Sequence, residues 1–226
     1  MSKSIRTDAI VLRRTNYGEA DRIIQVITRE NGKMSVIARG VRKEKSRLAG
    51  GIELFAVCDL VLHVGQGELA TLTGAKARKV FDKIILDYSR LQFAYESIKQ
   101  ISRASEMLVE PDFYDLLEST LNELNEPHNK LKIIQSWFYL RLAKLLGNEL
   151  NTATDNNGMK LVENIKYRFD KDEQVFTFDE QGDYGSEHIK ILRLMCNNTP
   201  TIIAKISDID TYIDDCLRAA QIVAKI

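Results

Sequence analysis

Five cations lie within nine residues of one segment of this 226-residue chain. They are Arg39, Arg42, Lys43, Lys45 and Arg47. Glu44 is the one acidic residue among them, and Gly40 and Gly50-Gly51 leave the backbone free to take irregular conformations. Such a loop suits phosphates, because each contact releases a condensed counterion and adds salt-dependent affinity. The segment predicts a polyanion-binding loop, although a merely solvated loop has the same composition.

Other side chains near this segment could extend such a surface. Arg13, Arg14, Arg22 and Arg29 lie in neighbouring segments that read as strands. Tyr17 and Phe55 are possible stacking platforms for unpaired bases, with a core or ordinary surface position as the simpler alternative.

The charge of the chain is strongly divided along its length. Formal net charge is zero, yet residues 1–80 hold 15 Lys and Arg against eight Asp and Glu, a net charge of +7, and the remainder carries −7. Opposite charge on two parts of one chain is typical of polyanion binding by one part. Attraction between the two parts is the alternative explanation.

The elements that must carry the basic segment read as β-strands. Apolar and β-branched runs at 5–12, 22–28, 33–38, 54–64 and 68–77 predict five strands, with turns at Asn31-Gly32 and at 65–67. Five short strands in about 80 residues predict a small closed barrel of the OB type at 1–80, with an SH3-like barrel as the alternative.

From residue 81 the apolar spacing becomes helical. Helices are predicted at 88–108, from Pro111 to about 124, at 131–146, at 186–197 and at 207–224, with a small β-hairpin at 163–178. The fold class is therefore α+β: an OB-type barrel followed by a mostly helical domain, 81–226, that carries the hairpin within a polar region at about 148–185.

Catalytic signals are weak. The three histidines are scattered, and the chain has no HExxH, CxxC, GxxxxGK[ST] or GxSxG motif. Four carboxylates lie near the last helix, at Asp208, Asp210, Asp214 and Asp215. Capping of the helix start is the favoured interpretation, because carboxylates stabilise the positive end of the helix dipole. A Mg²⁺-dependent nuclease is the enzyme alternative, and we expect no enzyme, catalytic residue or cofactor.

Three stretches resemble the family of the bacterial recombination mediator protein RecO. The first is YGEADRII at 17–24 with TRENGK at 28–33, the second is ARGVRKEKSR at 38–47, and the third is WFYLRLAKLLG at 137–147. Their order and spacing resemble those of the family over nearly the whole chain.

The resemblance implies an OB domain that binds single- and double-stranded DNA, anneals complementary strands, and helps to load the recombinase RecA onto DNA coated by single-strand-binding protein. It also implies RecR and the tail of the single-strand-binding protein as partners. The DNA-binding residues would be Arg39, Arg42, Lys43, Lys45 and Arg47, with Arg14 and Arg22 in support. An adaptor whose basic loop binds an acidic protein is the alternative of another class.

The chain departs from the family at one place. Many relatives carry a zinc site of two CxxC pairs after the LLG helix, whereas residues 147–185 contain no cysteine here. His188 and Cys196 alone cannot complete a tetrahedral site, so we predict no zinc and a hairpin held by side-chain packing.

The helical domain is the candidate for protein partners. An acidic tail with an apolar end needs an apolar groove with cations at its rim. The weak candidates for that rim lie on or beside the most apolar helix: Lys130, Lys132, Arg141 and Lys144.

The sequence also indicates a location in the cell. No apolar run is long enough for a membrane span, and no signal-peptide core is seen at the start. Three separated cysteines suit a reducing compartment, so we expect a cytoplasmic protein.

Overall fold

The computed structural model describes residues 3–65, 67, 69–108 and 110–225. Contacts divide the chain into two compact units, Met1–Asn125 and Glu126–Ile226. The first unit contains a β-barrel and two helices, and the second contains a small sheet and four helices.

The barrel consists of five strands. They are β1 (Lys3–Tyr17), β2 (Asp21–Thr28), β3 (Gly32–Ala38), β4 (Ala56–Val64) and β5 (Ala70–Val80). The strands close in the order β1-β2-β3-β5-β4, with a parallel pairing of β3 with β5 and antiparallel pairings elsewhere. This is the OB arrangement, and it confirms the predicted fold class.

The first strand is longer than its apolar run suggested. Its first part pairs with β4 and its second part pairs with β2, across a register shift between Val11 and Arg13. Such an irregularity bends a strand, which allows one strand to serve both neighbours of a small barrel. Gln66 of the predicted 65–67 turn, and Glu68, the predicted start of the last strand, lie outside the described residues.

The interior of the barrel is filled by alternate side chains of every strand. The largest fully buried side chains in this cluster include Ile24, Leu60 and Leu62 on the strands and Ile52 in the connection from β3 to β4. A short 3₁₀ turn at Ala49–Gly51 lies against β5. A Cβ at Gly51 would come within 2.4 Å of the carbonyl carbon of Ala75, so this approach needs glycine.

Two helices complete the first unit, α1 (Tyr88–Met107) and α2 (Asp112–Leu124). Lys33 on β3 donates to Ser102 on α1, with 2.9 Å between Nζ and Oγ. Arg29 after β2 pairs with Asp115 at 3.1 Å and Glu118 at 2.9 Å on α2. Both helices belong to the same compact unit as the barrel. The division into an OB domain at 1–80 and a helical domain at 81–226 stays a prediction.

The second unit contains four helices and one hairpin. The helices are α3 (Leu131–Leu145), α4 (Ser186–Asn197), α5 (Pro200–Ile203) and α6 (Ile209–Val223), and the hairpin strands are β6 (Tyr167–Phe169) and β7 (Phe176–Phe178). The single turn of α5 was not predicted, because four residues with an N-terminal proline are too short for a helical period.

Side-chain packing and turn hydrogen bonds organise the hairpin region. The ring of Phe176 lies 5.0 Å from that of Phe169 and 5.4 Å from that of Tyr184. The carboxylate of Asp155 accepts the N–H groups of Asn157 and Met159 at 2.8 and 2.9 Å and closes the preceding turn. Within the described residues no group of three His, Cys, Asp or Glu side chains could hold a metal ion. The described helices also include none that is long and apolar enough to cross a membrane.

Gly51→Ala should lower the free energy of unfolding by about 1–3 kcal/mol, because the new methyl group overlaps the β5 backbone. Gly50→Ala is the matched control, since a Cβ there meets no atom within 4 Å. Urea unfolding followed by circular dichroism measures both. Equal effects of the two substitutions would contradict the close packing of the turn on β5.

Phe176→Ala should lower the stability of the second unit by about 3–5 kcal/mol, whereas Phe178→Ala at the exposed end of the same strand should change it little. Phe176→Leu keeps most of the volume and serves as the milder variant. Adding EDTA should leave the wild-type unfolding temperature unchanged in calorimetry. A drop with EDTA that Zn²⁺ reverses would show that metal, not packing, stabilises this region.

Candidate nucleic-acid interface

The basic loop, defined as residues 39–47 between β3 and the 3₁₀ turn, is fixed to the barrel by one of its own side chains. Val41 is buried in the barrel core, while Arg39 and Arg42 on either side are exposed. An apolar anchor between charged neighbours holds the backbone while the long cationic side chains remain in solvent.

The β1–β2 turn provides a second attachment. The carboxylate of Asp21 accepts the N–H of Gly40 at 2.7 Å, and the carbonyl of Ala20 accepts the N–H of Arg42 at 2.9 Å. The guanidinium of Arg42 donates to the carbonyl of Gly18 at 3.3 Å. Gly18 and Gly40 have φ angles of 57° and 62°, which other residues rarely adopt. The turn and the loop therefore form one polar structure.

The five cations of the basic loop are all exposed. Apart from Arg42, none of them has a side-chain hydrogen bond or ion pair with a described residue. Elsewhere on the barrel, cations are often neutralised: Arg6 pairs with Asp59, and Arg78 pairs with Asp8. The basic loop thus concentrates unpaired positive charge, which a polyanion can bind without first breaking internal pairs.

The two supporting arginines are less free. Arg14 pairs with Glu53 at 2.7 Å, and its side chain is 24% exposed. Arg22 donates from Nε to the side-chain oxygen of Asn16 at 3.2 Å and lies opposite Ala38, next to the start of the basic loop. Both lie on strands that enter the same end of the barrel as the loop. Arg29 instead serves α2, with its guanidinium 4.8 Å above the ring of Tyr114.

The two aromatic candidates have different positions. Phe55 is 6% exposed and packs edge-on against Tyr95, with ring centroids 5.0 Å apart, so it is a core residue and offers no stacking surface. Tyr17 is 55% exposed at the end of β1, opposite Asp21.

Three of the four partner-binding candidates on or beside α3 have acidic neighbours in the second unit. Lys130 pairs with Asp210 at 2.6 Å, and Lys132 pairs with Asp214 at 2.5 Å on α6. Lys144 pairs with Glu149. The guanidinium of Arg141 lies 5.9 Å from the ring centre of Trp137.

The carboxylates near α6 do not converge. Asp208 occupies the position before the helix, but its side chain makes no capping hydrogen bond, so the capping predicted for it is not observed. Asp215 lies 3.3 Å from His188 and 3.0 Å from Arg218. Dispersed carboxylates in separate ion pairs do not provide the shared ligand set that a two-metal nuclease needs.

The cysteines carry no nucleophilic signal. Burial raises the pKa of Cys58 and of Cys216 to about 12, and it also raises the pKa of Cys196. A thiol is reactive as the thiolate, so these side chains remain neutral and unreactive near neutral pH.

Comparison with known proteins finds a family similar to the N-terminal part of the chain. The family model described as recombination protein O N terminal matches residues 1–81. The N-terminal 81 residues of this chain are therefore similar to the N-terminal domain of the RecO family. The matched segment contains the whole barrel, the basic loop and the β1–β2 turn.

Similar proteins bear the name DNA repair protein RecO. The chain is 38% identical to that of Gloeobacter violaceus over 125 residues, which cover 54% of this chain and 47% of the relative. It is 37% identical to that of Heliobacterium modesticaldum over 142 residues, 63% of this chain and 51% of the relative. The RecO protein of Listeria monocytogenes is 32% identical over 143 residues, 63% and 55% of the two chains. The matched segments span about half the length of these relatives.

Sequence reasoning found the cations but missed the groups that hold them. Asp21 and Gly18 were present in the YGEADRII stretch, yet no sequence rule connects an aspartate in one turn with a backbone N–H nineteen residues later. The spacing of Gly18 and Asp21 before a strand could have indicated a tight turn, but not that the turn binds the backbone of the basic loop.

Asp21→Ala should loosen the basic loop, because the N–H of Gly40 loses a charged acceptor worth about 1–3 kcal/mol. We expect roughly tenfold faster amide exchange at Gly40 and faster tryptic cleavage at 39–47. Glu19→Ala in the same turn removes the same charge without that hydrogen bond, and Asp21→Asn retains an acceptor. Comparable exchange in the Asp21→Ala and Glu19→Ala variants would refute the attachment.

Proposed function

We propose that the chain binds DNA through the basic loop and acts in DNA repair as a recombination mediator. The observation that carries the proposal is the group of exposed cations on a backbone that the barrel core and the β1–β2 turn hold in place. Arg39, Arg42, Lys43, Lys45 and Arg47 would contact phosphates. Arg14 and Arg22 would add contacts, Arg14 after exchanging Glu53 for a phosphate.

The specific activities that we propose are those that the resemblance to RecO implies. Similar proteins are named DNA repair protein RecO, and the segment of this chain that holds the barrel matches the model of the family's N-terminal domain. The proposed activity is annealing of complementary single strands and loading of the recombinase RecA onto DNA coated by single-strand-binding protein. It needs no cofactor, metal or catalytic residue, and it would take place in the cytoplasm at the nucleoid.

Annealing has a direct electrostatic basis. Two strands repel each other through their phosphates, and this repulsion falls when both lie on one cationic surface. A loop whose cations are already unpaired and exposed offers that neutralisation without rearrangement of the barrel.

The second unit is the proposed contact for proteins, namely RecR and the acidic tail of the single-strand-binding protein. Lys130, Lys132, Arg141 and Lys144 are the candidate residues. An incoming tail carboxylate would replace Asp210, Asp214 or Glu149 in exposed ion pairs. Such pairs contribute little to stability, so the exchange costs little.

A triple charge reversal, Arg42→Glu, Lys43→Glu and Lys45→Glu, should abolish annealing of complementary oligonucleotides, bare or coated with single-strand-binding protein, without ATP or metal. On single strands the dependence of log K on log salt should flatten by about 2, because each lost contact removes roughly 0.7. Fluorescence anisotropy across a salt series measures this slope.

The matched control reverses three exposed lysines of the second unit, Lys160, Lys166 and Lys171, and so changes the net charge equally. It should anneal like the wild type. Normal DNA binding by the loop variant would reject the assigned site. A folded wild type that ignores oligonucleotides but captures an acidic protein would favour the adaptor alternative.

A further inference from the structure

The outer side of β1, β2 and β3 has a recognisable set of side chains. Neighbours along a strand point to opposite sides, and Ile24 and Val26 of β2 lie in the barrel core. Ile23 and Gln25 therefore point outward. Thr15 lies opposite Ile23, and Ile23 lies opposite Ile37, so these side chains share the outer side.

Helices cover one end of this outer side. Ile27 lies on it and pairs with Ile10, and both are completely buried outside the barrel-core cluster. Lys33, opposite Ile27, reaches Ser102 of α1, and Arg29 reaches α2. The apolar side chains at this end are buried by packing within the first unit.

The other end remains open. Tyr17 is 55% exposed, and Ile23 and Ile37 are partly exposed. In the described part of the chain, the ring of Tyr17 joins no aromatic or cation–π pair. Tyr17, Ile23 and Ile37 share this open part of the outer side and are here called the aromatic step.

Cations flank the aromatic step. Arg13 lies opposite Gln25 on the same outer side and is exposed without an ion pair to any described residue. Arg39 follows the end of β3, and Arg42 donates to the carbonyl of Gly18, the residue next to Tyr17. An apolar platform between exposed cations matches the alternation of bases and phosphates in one nucleic-acid strand.

We propose that the aromatic step binds unpaired bases, with Tyr17 as the stacking platform, and that it makes the chain prefer single strands over duplexes. The inference rests on the proposed DNA binding by the basic loop. In a duplex the base faces are already stacked on one another, so a duplex can use the cations but cannot use Tyr17.

The test compares Tyr17→Ala with Tyr88→Ala, which removes an even more exposed tyrosine from α1. The probes are a fluorescent oligothymidine, a strand of the same length with abasic sites, and a duplex. Tyr17→Ala should weaken oligothymidine binding about 5- to 100-fold, change abasic-strand and duplex binding less than twofold, and leave the salt slope unaltered. Tyr88→Ala should bind all three like the wild type.

Tyr17→Trp should retain the affinity, and its fluorescence should be quenched by oligothymidine and not by the abasic strand, relative to the wild type with Trp137 alone. Equal weakening of all three probes by Tyr17→Ala, or of none, would overturn the stacking role. Failure of the proposed function has a different signature, because the basic-loop reversal would then leave all binding unchanged.

Discussion

The attachment of the basic loop to the barrel is the constraint on which the candidate interface depends. Five like charges within nine residues repel one another, and a free loop would spread them apart. Val41 in the core and the hydrogen bond from Gly40 to Asp21 oppose that spreading. The barrel therefore holds these cations close together at one place. A bound polyanion would reduce the repulsion between them.

The ion pairs of the barrel determine where its positive charge remains unpaired. Three arginines form ion pairs with carboxylates of the first unit and so connect strands to each other and to α2: Arg6, Arg29 and Arg78. The five cations of the basic loop have no ion pair with a described residue, so this end of the barrel carries unpaired positive charge. Tyr17 and Arg13 lie at the same end, so apolar and electrostatic contacts are available to one strand.

The second unit shows how a region can keep its hairpin through packing. Phe169, Phe176 and Tyr184 bring together β6, β7 and the start of α4, and Asp155 closes a turn with two backbone N–H groups. The aromatic rings contribute burial and edge-to-face contacts, and the carboxylate satisfies amides that a short irregular segment would otherwise leave unpaired.

Local patterns in the sequence determined the elements of this protein. Residue alternation and turn glycines predicted the five strands, apolar spacing predicted the long helices, and composition located the basic loop. Tertiary structure alone decided which charges are free. Arg29 and Arg39 look alike in the sequence, yet one is paired on α2 and the other is open to solvent. The same holds for Tyr17 and Phe55, because burial and pairing depend on segments distant along the chain, whereas strand and helix periods are local.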